Sequence, residues 1–318
     1  MNETIRMMNS YGIKIRNLLI CLALMFVNSI LSAQDDGIEL KYLGTAGWII
    51  NDGDVTILVD PYISRIKLGR GPGISPEDDR RPYLRTDFYE PDTTLINEIV
   101  PKADFILVHH SHFDHLSDVP YIAQKTGAKV IGSYTTTRIL EAYGIPSDQL
   151  YTIKGGEDYQ FDSFSVKVVP SLHSALNKKL YFDGRELPQD LTAPLKIGDF
   201  IEGGSFMFYI RLKGKKILTM GSMNYIEKAI EGLKPDVLFA GVNFSRLEIY
   251  NYTERLLKAT GIPGIIIPVH WDNFRVPYGF SQERAIEMKI KPFIEEVRAV
   301  TDESKIIIPE HLKVIKVQ

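Results

Sequence analysis

The chain reads as an α+β protein in which β-sheets pack together and helices cover them. Three observations point there. Strand-like segments come first, with helices mixed in later. Strands outnumber helices along the chain. The 318 residues are 44% hydrophobic and 24% charged, which is enough apolar material for one large domain or two small ones.

The elements follow in order. IELKYLGTAGWIIND and VTILVDPYI read as two strands joined by the turn NDGD. Residues 64–91 are rich in Gly, Pro, Arg and Asp, carry little periodicity and read as a long loop. DTTLINEIV is a short helix with Asp92 or Thr93 as N-cap. DFILVHH is a buried strand that ends at a histidine cluster. A helix over 117–126, the strand AKVIGS and a helix over 135–143 come next. YTIKGGEDYQFDSFSVKVVPSLH alternates like a hairpin whose last strand ends at His173, and 174–200 is irregular again. GSFMFYIRLKGKKILTMGS is a hairpin turning at KGKK. A helix over 225–232, the apolar run DVLFAGV, the helix YTERLLKAT and the strand GIIIPVHW, ending at His270, follow. A helix over 281–298 and the strand KIIIPEHLKVIKV close the chain. In layered folds, sites collect where strand ends open into loops. Here those ends carry His110, His173, Ser222 and His270. The irregular segments 64–91 and 174–200 are expected to border the entrance to such a site.

Residues 1–33 differ from the rest. Lys14 and Arg16 precede the apolar run Leu18 to Val27, and NSILSA follows. That order reads as a signal peptide, with a basic region, an apolar region of secretory length and a small-residue end, the alternative being an uncleaved N-terminal anchor. The run is shorter than the roughly 20 residues a spanning helix needs. The expectation is an exported protein, periplasmic or secreted, whose mature domain covers 34–318 and has no membrane span after cleavage. The one cysteine, Cys21, falls inside the signal, so the mature domain has neither disulfides nor a thiol nucleophile. The signal carries three cations and one anion, so its removal takes the formal charge from −3 to −5. No basic block remains, which argues against a nucleic-acid partner.

Four of the seven histidines lie in HHSHFDH, residues 109–115. His110 and His112 are two apart in an extended segment, so their side chains can point the same way. Asp114 and His115 lie just beyond, where the loop can turn them toward a second position. Imidazole and carboxylate suit zinc and related divalent metals. One such cluster can serve two adjacent metals, with His173 and His270 available to complete them.

These residues resemble the metallo-β-lactamase superfamily over nearly all of the mature chain: YLGTAGWII, ILVDPY, HSHFDH, the strand ending at His173, KKILTMGS and IIPVHWDNF. The resemblance implies an αββα sandwich of two mixed β-sheets with helices on the outer faces. It implies one metal held by His110, His112 and His173, and another by Asp114, His115 and His270, with one or two zinc ions or other divalent metals per chain. Most members carry a bridging aspartate where this chain has Ser222. Its absence is expected to weaken the second metal relative to the first. Asp60 is expected to support the metal loop from behind. Asp114 would hold the proton of a metal-activated water and later protonate the leaving group. The implied function is hydrolysis of an ester, lactone or phosphodiester in a small-molecule or lipid-like substrate. The alternatives are a binding member without turnover, or a β-lactam hydrolase.

Other residues have plainer readings. His109 is expected to face away from the cluster and pack. His311 reads as a surface or edge residue. Asp272 and Asn273 fit a pocket lining or a turn equally well. Asn243 and Asn251 match a glycosylation pattern. Tyr250, Tyr252 and Trp271 read as core aromatics.

Overall fold

Alternation along the strands builds the molecule. In β2 (Gly47–Asn51), Trp48 and Ile50 enter one buried cluster while Ile49, between them, enters another. In β3 (Thr56–Val59), Ile57 and Val59 enter the first cluster and Leu58 the second. In β4 (Phe105–Leu107), Leu107 and Ile106 divide in the same way. Successive side chains of a strand point to opposite faces, so these strands are buried on both sides. Burying one such side chain contributes roughly 1.5–3 kcal/mol, which is why they occupy the middle of a sheet.

The computed structural model describes residues 37–69, 77–175 and 183–318. The signal segment, 1–33, lies outside the described residues. Ile38–Val317 forms one compact unit. Two seven-stranded sheets make it up. The first has the order β14 (Val314–Val317), β1 (Ile38–Gly44), β2, β3, β4, β5 (Lys129–Ser133) and β6 (Leu150–Ile153). It is antiparallel from β14 to β3 and parallel from β3 to β6. The second has the order β13 (Lys305–Ile306), β12 (Ile265–Val269), β11 (Val237–Gly241), β10 (Lys215–Met220), β9 (Phe206–Leu212), β8 (Phe164–Pro170) and β7 (Asp158–Gln160). It is parallel from β13 to β10 and antiparallel from β10 to β7. The first cluster fills the space between the sheets, where Trp48 of one stacks on Phe239 of the other, ring centroids 4.3 Å apart. The second lies on the outer face of the first sheet, under α1 (Thr93–Ile99), α3 (Val119–Thr126) and α4 (Tyr134–Ala142). Beside the second sheet, Ile230 of α5 (Glu227–Ile230), Leu256 and Leu257 of α6 (Tyr252–Thr260), and Phe293 and Val297 of α8 (Lys291–Arg298) close the core. This is the αββα sandwich the sequence led us to expect. Among the described residues no helix is long and apolar enough to cross a membrane.

Three element boundaries differ from the sequence reading. IELKYLGTAGWIIND is itself a hairpin: Gly44 and Thr45 take positive φ values of 87° and 55° and turn β1 into β2. The segment read as one hairpin from Tyr151 to His173 is divided between the sheets, β6 in the first and β7–β8 in the second. The last strand is likewise two, β13 and β14, in different sheets. Pro309, which has no N–H for a ladder, and Leu312, at φ 62°, lie between them.

Candidate metal centre

β4 belongs to the first sheet, and β8, β10 and β12 run in one direction in the second. Their C-terminal ends meet at one rim of the sandwich. His110 and His112 follow β4. Asp114 and His115 lie on the single turn α2 (Phe113–Leu116). His173 stands three residues after β8, Ser222 two after β10, and His270 directly after β12.

The six predicted ligands come together in the two expected sets. One ligand atom from each of His110, His112 and His173 lies within 4.8 Å of the others, and the same holds for Asp114, His115 and His270. The sets adjoin, with the His110 and His115 rings 3.9 Å apart between centroids. Asp114 Oδ2 is 3.4 Å from His270 Nε2 and 3.8 Å from His115 Nε2. Both ring nitrogens of His110 are buried without a hydrogen-bond partner, as is His270 Nδ1. A buried polar group left without a partner costs about 1–3 kcal/mol. Five imidazoles, one carboxylate and no thiol are the donors a divalent metal accepts, so these residues fit such an ion.

Electrostatics keeps the donors ready. Burial, then the neighbouring imidazoles, holds His110 well below the ordinary histidine range. Burial and His173 bring His112 down to about 3, and burial with His115 brings His173 to about 4. All three are therefore neutral, with a lone pair to give. Burial pushes the Asp114 carboxyl up, but His115 and His270 outweigh it and hold it well below the usual carboxylate range.

Asp60 stands behind the cluster. Its Oδ2 accepts from His115 Nδ1 at 2.5 Å and from His109 Nδ1 at 2.6 Å, and its Oδ1 accepts from His109 N at 2.8 Å. The bond to His115 Nδ1 leaves Nε2 facing the site, the usual way a carboxylate orients a ligand imidazole. His109 turns away from the cluster as expected, but into polar contacts: its Nε2 meets Thr219 Oγ1 at 2.8 Å. A Cβ on Gly221 would lie 2.3 Å from His109 Cβ, which explains the glycine before Ser222.

Ser222 faces its own sheet's loop. Its Oγ accepts from Ser174 N at 2.8 Å and meets Ser174 Oγ at 2.7 Å. Ser174 Oγ accepts from Met223 N at 3.0 Å, and Asn224 Nδ2 donates to His173 O at 3.1 Å. Ser222 thus secures the turn that presents His173.

The sequence reading missed the network that secures His270. Asp272 is fully buried and accepts from Arg65 Nη1 at 2.8 Å, Thr45 N at 2.9 Å and His311 Nε2 at 2.9 Å. His270 has φ 58°, and its N–H donates to Thr45 O at 2.5 Å. His311 is therefore no surface residue: it stacks on Tyr42 and Trp271 and donates into this network. Asp118 was also missed. It takes bonds from Ile63 N, Ser64 N, Ser64 Oγ and Tyr89 Oη, fixing the loop after β3. The only sequence signal for either aspartate was its position near the histidines.

A cavity of about 180 Å³ opens over the cluster. Arg85, Phe113, Asn243, Phe274 and Arg275 line it beside the predicted ligands and Ser222. Arg85 comes from the segment expected at the entrance. Ser174, at the start of the other segment, also lines it, whereas 183–200 does not; that stretch packs on the first segment through Tyr89 N to Leu195 O and the Phe88–Lys196 bridge. Residues 176–182 lie outside the described residues. Tyr252 and Trp271 are buried core aromatics, whereas Tyr250 is 79% exposed.

Comparisons with known proteins agree with this architecture. A family model described as a beta-lactamase superfamily domain matches residues 39–270, well over half of the chain. A metal-dependent hydrolase of the UPF0173 group from Anaeromyxobacter dehalogenans is 30% identical over 263 residues, covering 80% of this chain and 81% of that protein. Another, from Nanoarchaeum equitans, is 25% identical over 276 residues, 81% of this chain and 99% of that one. Among solved structures, the metallo hydrolase Igni18 from Ignicoccus hospitalis superposes with a TM-score of 0.56 at 17% identity, over 89% of this chain and 99% of that one. An isothiocyanate hydrolase from Delia radicum gut bacteria does so at 0.51 and 14%, over 87% and 98%. At such identities the structures speak for the fold alone. The family match, the two homologous hydrolases and the paired mixed sheets lead to one conclusion: this chain belongs to the metallo-β-lactamase superfamily, as a metal-dependent hydrolase.

Proposed function

We propose that the chain is a zinc hydrolase acting on an ester, lactone or phosphodiester bond at this rim. The observation that carries the reading is the pair of adjoining ligand sets under one cavity. His110, His112 and His173 would hold one ion, and Asp114, His115 and His270 a second. An ion bound there supplies Lewis acidity toward a substrate oxygen and makes water a stronger acid near pH 7. The remaining work belongs to the protein. Asp114 accepts a water proton at its carboxylate and returns it to the leaving group. Asp60 holds the His115 ring in the ligating tautomer, and Ser222 keeps His173 in place. Phe113 and Phe274 give the cavity apolar walls that limit water.

Elemental analysis across a chelator series, with activity followed on an ester, lactone and phosphodiester panel, tests this. Metal is expected to leave in two steps. The Asp114 set should empty first, because Ser222 offers no bridging charge. The variant His112→Ala should lose metal and at least about 100-fold in activity together. Full activity in metal-free protein ends the hydrolase reading, and full activity with one ion ends the two-metal form.

A further inference from the structure

The cavity over the histidines continues into a second groove of about 460 Å³, and Asn243, Phe274 and Arg275 line both. The groove combines two kinds of surface. Phe244 and Met288 line it and are 44% and 45% exposed, an apolar surface left open to solvent. Arg275, Arg284 and Lys289 also line it, and none of the three makes an ion pair among the described residues. The carboxylate among its lining residues, Asp272, is already taken by Arg65 and His311. Three such cations around one groove stand out in a chain whose net charge is −3.

Lys289 is the most telling of them. Its Nζ sits 5.4 Å over the Phe244 ring. Burial pulls its ammonium down to about 8, with Asp272 opposing and Arg246 adding to the shift. The carboxylate near it, Asp272, is already paired with Arg65 and His311, so this partly desolvated ammonium stays costly, and a ligand anion relieves that cost. The backbone here is also unusual. Met288 and Lys289 lie on a π-helical turn, Ile286–Ile290, between α7 (Glu283–Ala285) and α8. Pro292 has no N–H to give the Met288 carbonyl, so the regular ladder is interrupted just there. Such turns recur at functional sites.

We infer that the substrate carries an anionic oxyacid group remote from the bond that is broken, held in this groove by Lys289, Arg284 and Arg275, with an apolar stretch between the two lying on Phe244 and Met288. This rests on the hydrolase reading of the metal centre. It specifies that the substrate is amphiphilic, reactive at one end and charged at the other.

Three methyl esters of equal chain length test it, each built on an eight-carbon acid and ended by a carboxylate, a phosphate or a methyl group. Binding to the metal-loaded full chain is measured by calorimetry and turnover by methanol release, at pH 7 and low salt. An anion-ended ester should bind at least tenfold tighter than the methyl-ended one, and the better of the two identifies the oxyacid. Added salt should erode this preference. Lys289→Met, which keeps the apolar stem, and the exposed Arg284→Gln should each reduce it, and the double variant should bring it within twofold. Equal binding of all three esters overturns the inference. So does a preference that survives in the double variant, because direct attraction to the metals would then explain it. Binding with the expected preference but no turnover of any ester would instead count against hydrolysis at the metal centre and leave the groove standing.

Discussion

Asp60 carries three hydrogen bonds on two oxygens, two of them from histidine rings. Burial alone would raise its carboxyl, but His109 and His115 hold it near 2, so it is an anion throughout the physiological range. An amide has one accepting oxygen and an NH₂ that would face the ring N–H groups. The variant Asp60→Asn is therefore expected to weaken metal binding about 10–100-fold by freeing the His115 ring. It should also lower stability by about 1–3 kcal/mol through the stranded donors. Competition against a chromophoric chelator measures the first effect and urea unfolding of the metal-free protein the second. Unchanged metal affinity in a folded variant would remove Asp60 from the site's support. His109 shows how a residue beside the motif takes another role: it ties Asp60 to Thr219, and so one sheet to the other.

The β1–β2 turn is the element that decides where His270 stands. Gly44 has φ 87°, and a Cβ there would lie 2.0 Å from Arg65 Nη1 and 2.9 Å from Asp272 Oδ2. The turn must be that close, because Thr45 N bonds Asp272 while Thr45 O receives the His270 N–H. Gly44→Ala should cost roughly 2–4 kcal/mol, combining left-handed strain with displacement of a buried ion pair. Gly53 provides the control: it has φ 94° and nothing within 4 Å of where a Cβ would stand, so Gly53→Ala should cost only about 1 kcal/mol. Equilibrium unfolding compares the two, and elemental analysis should show metal loss in the Gly44 variant alone. Similar costs for both would mean that the Arg65–Asp272 contact yields easily. Helix α2 is the opposite kind of element. It has four residues and no side-chain cap, and it is held by what surrounds it rather than by its own propensity.

At the scale of the whole molecule, each sheet has a parallel half and an antiparallel half, and the site lies where strand ends of both sheets converge. The ligands come from separate stretches of chain, so the site exists only once the sheets have closed on the core between them. Export remains an expectation drawn from the first 33 residues. N-terminal sequencing of protein taken from its native host should read from near Gln34. An intact Met1 on cytoplasmic protein would end that reading.

The amino-acid sequence by itself determined the layered α+β fold, because strand alternation and apolar runs are local patterns. It also identified all six residues that converge at the centre: HxHxDH is a local spacing, and His173 and His270 stand beside strand ends. Only the tertiary structure decided which strands share a sheet. The C-terminal segment shows why, since KIIIPEHLKVIKV reads as one apolar strand and yet serves two sheets. Local periodicity carries no information about a distant partner. The same limit hid Asp118 and the Arg65–Asp272–His311 network, whose members lie far apart in the chain. It also hid the cationic groove, because Arg275, Arg284 and Lys289 become neighbours only when the π-helical turn lies beside the loop after β12. Charge clustering of that kind depends on three-dimensional packing, which spacing along the chain does not encode.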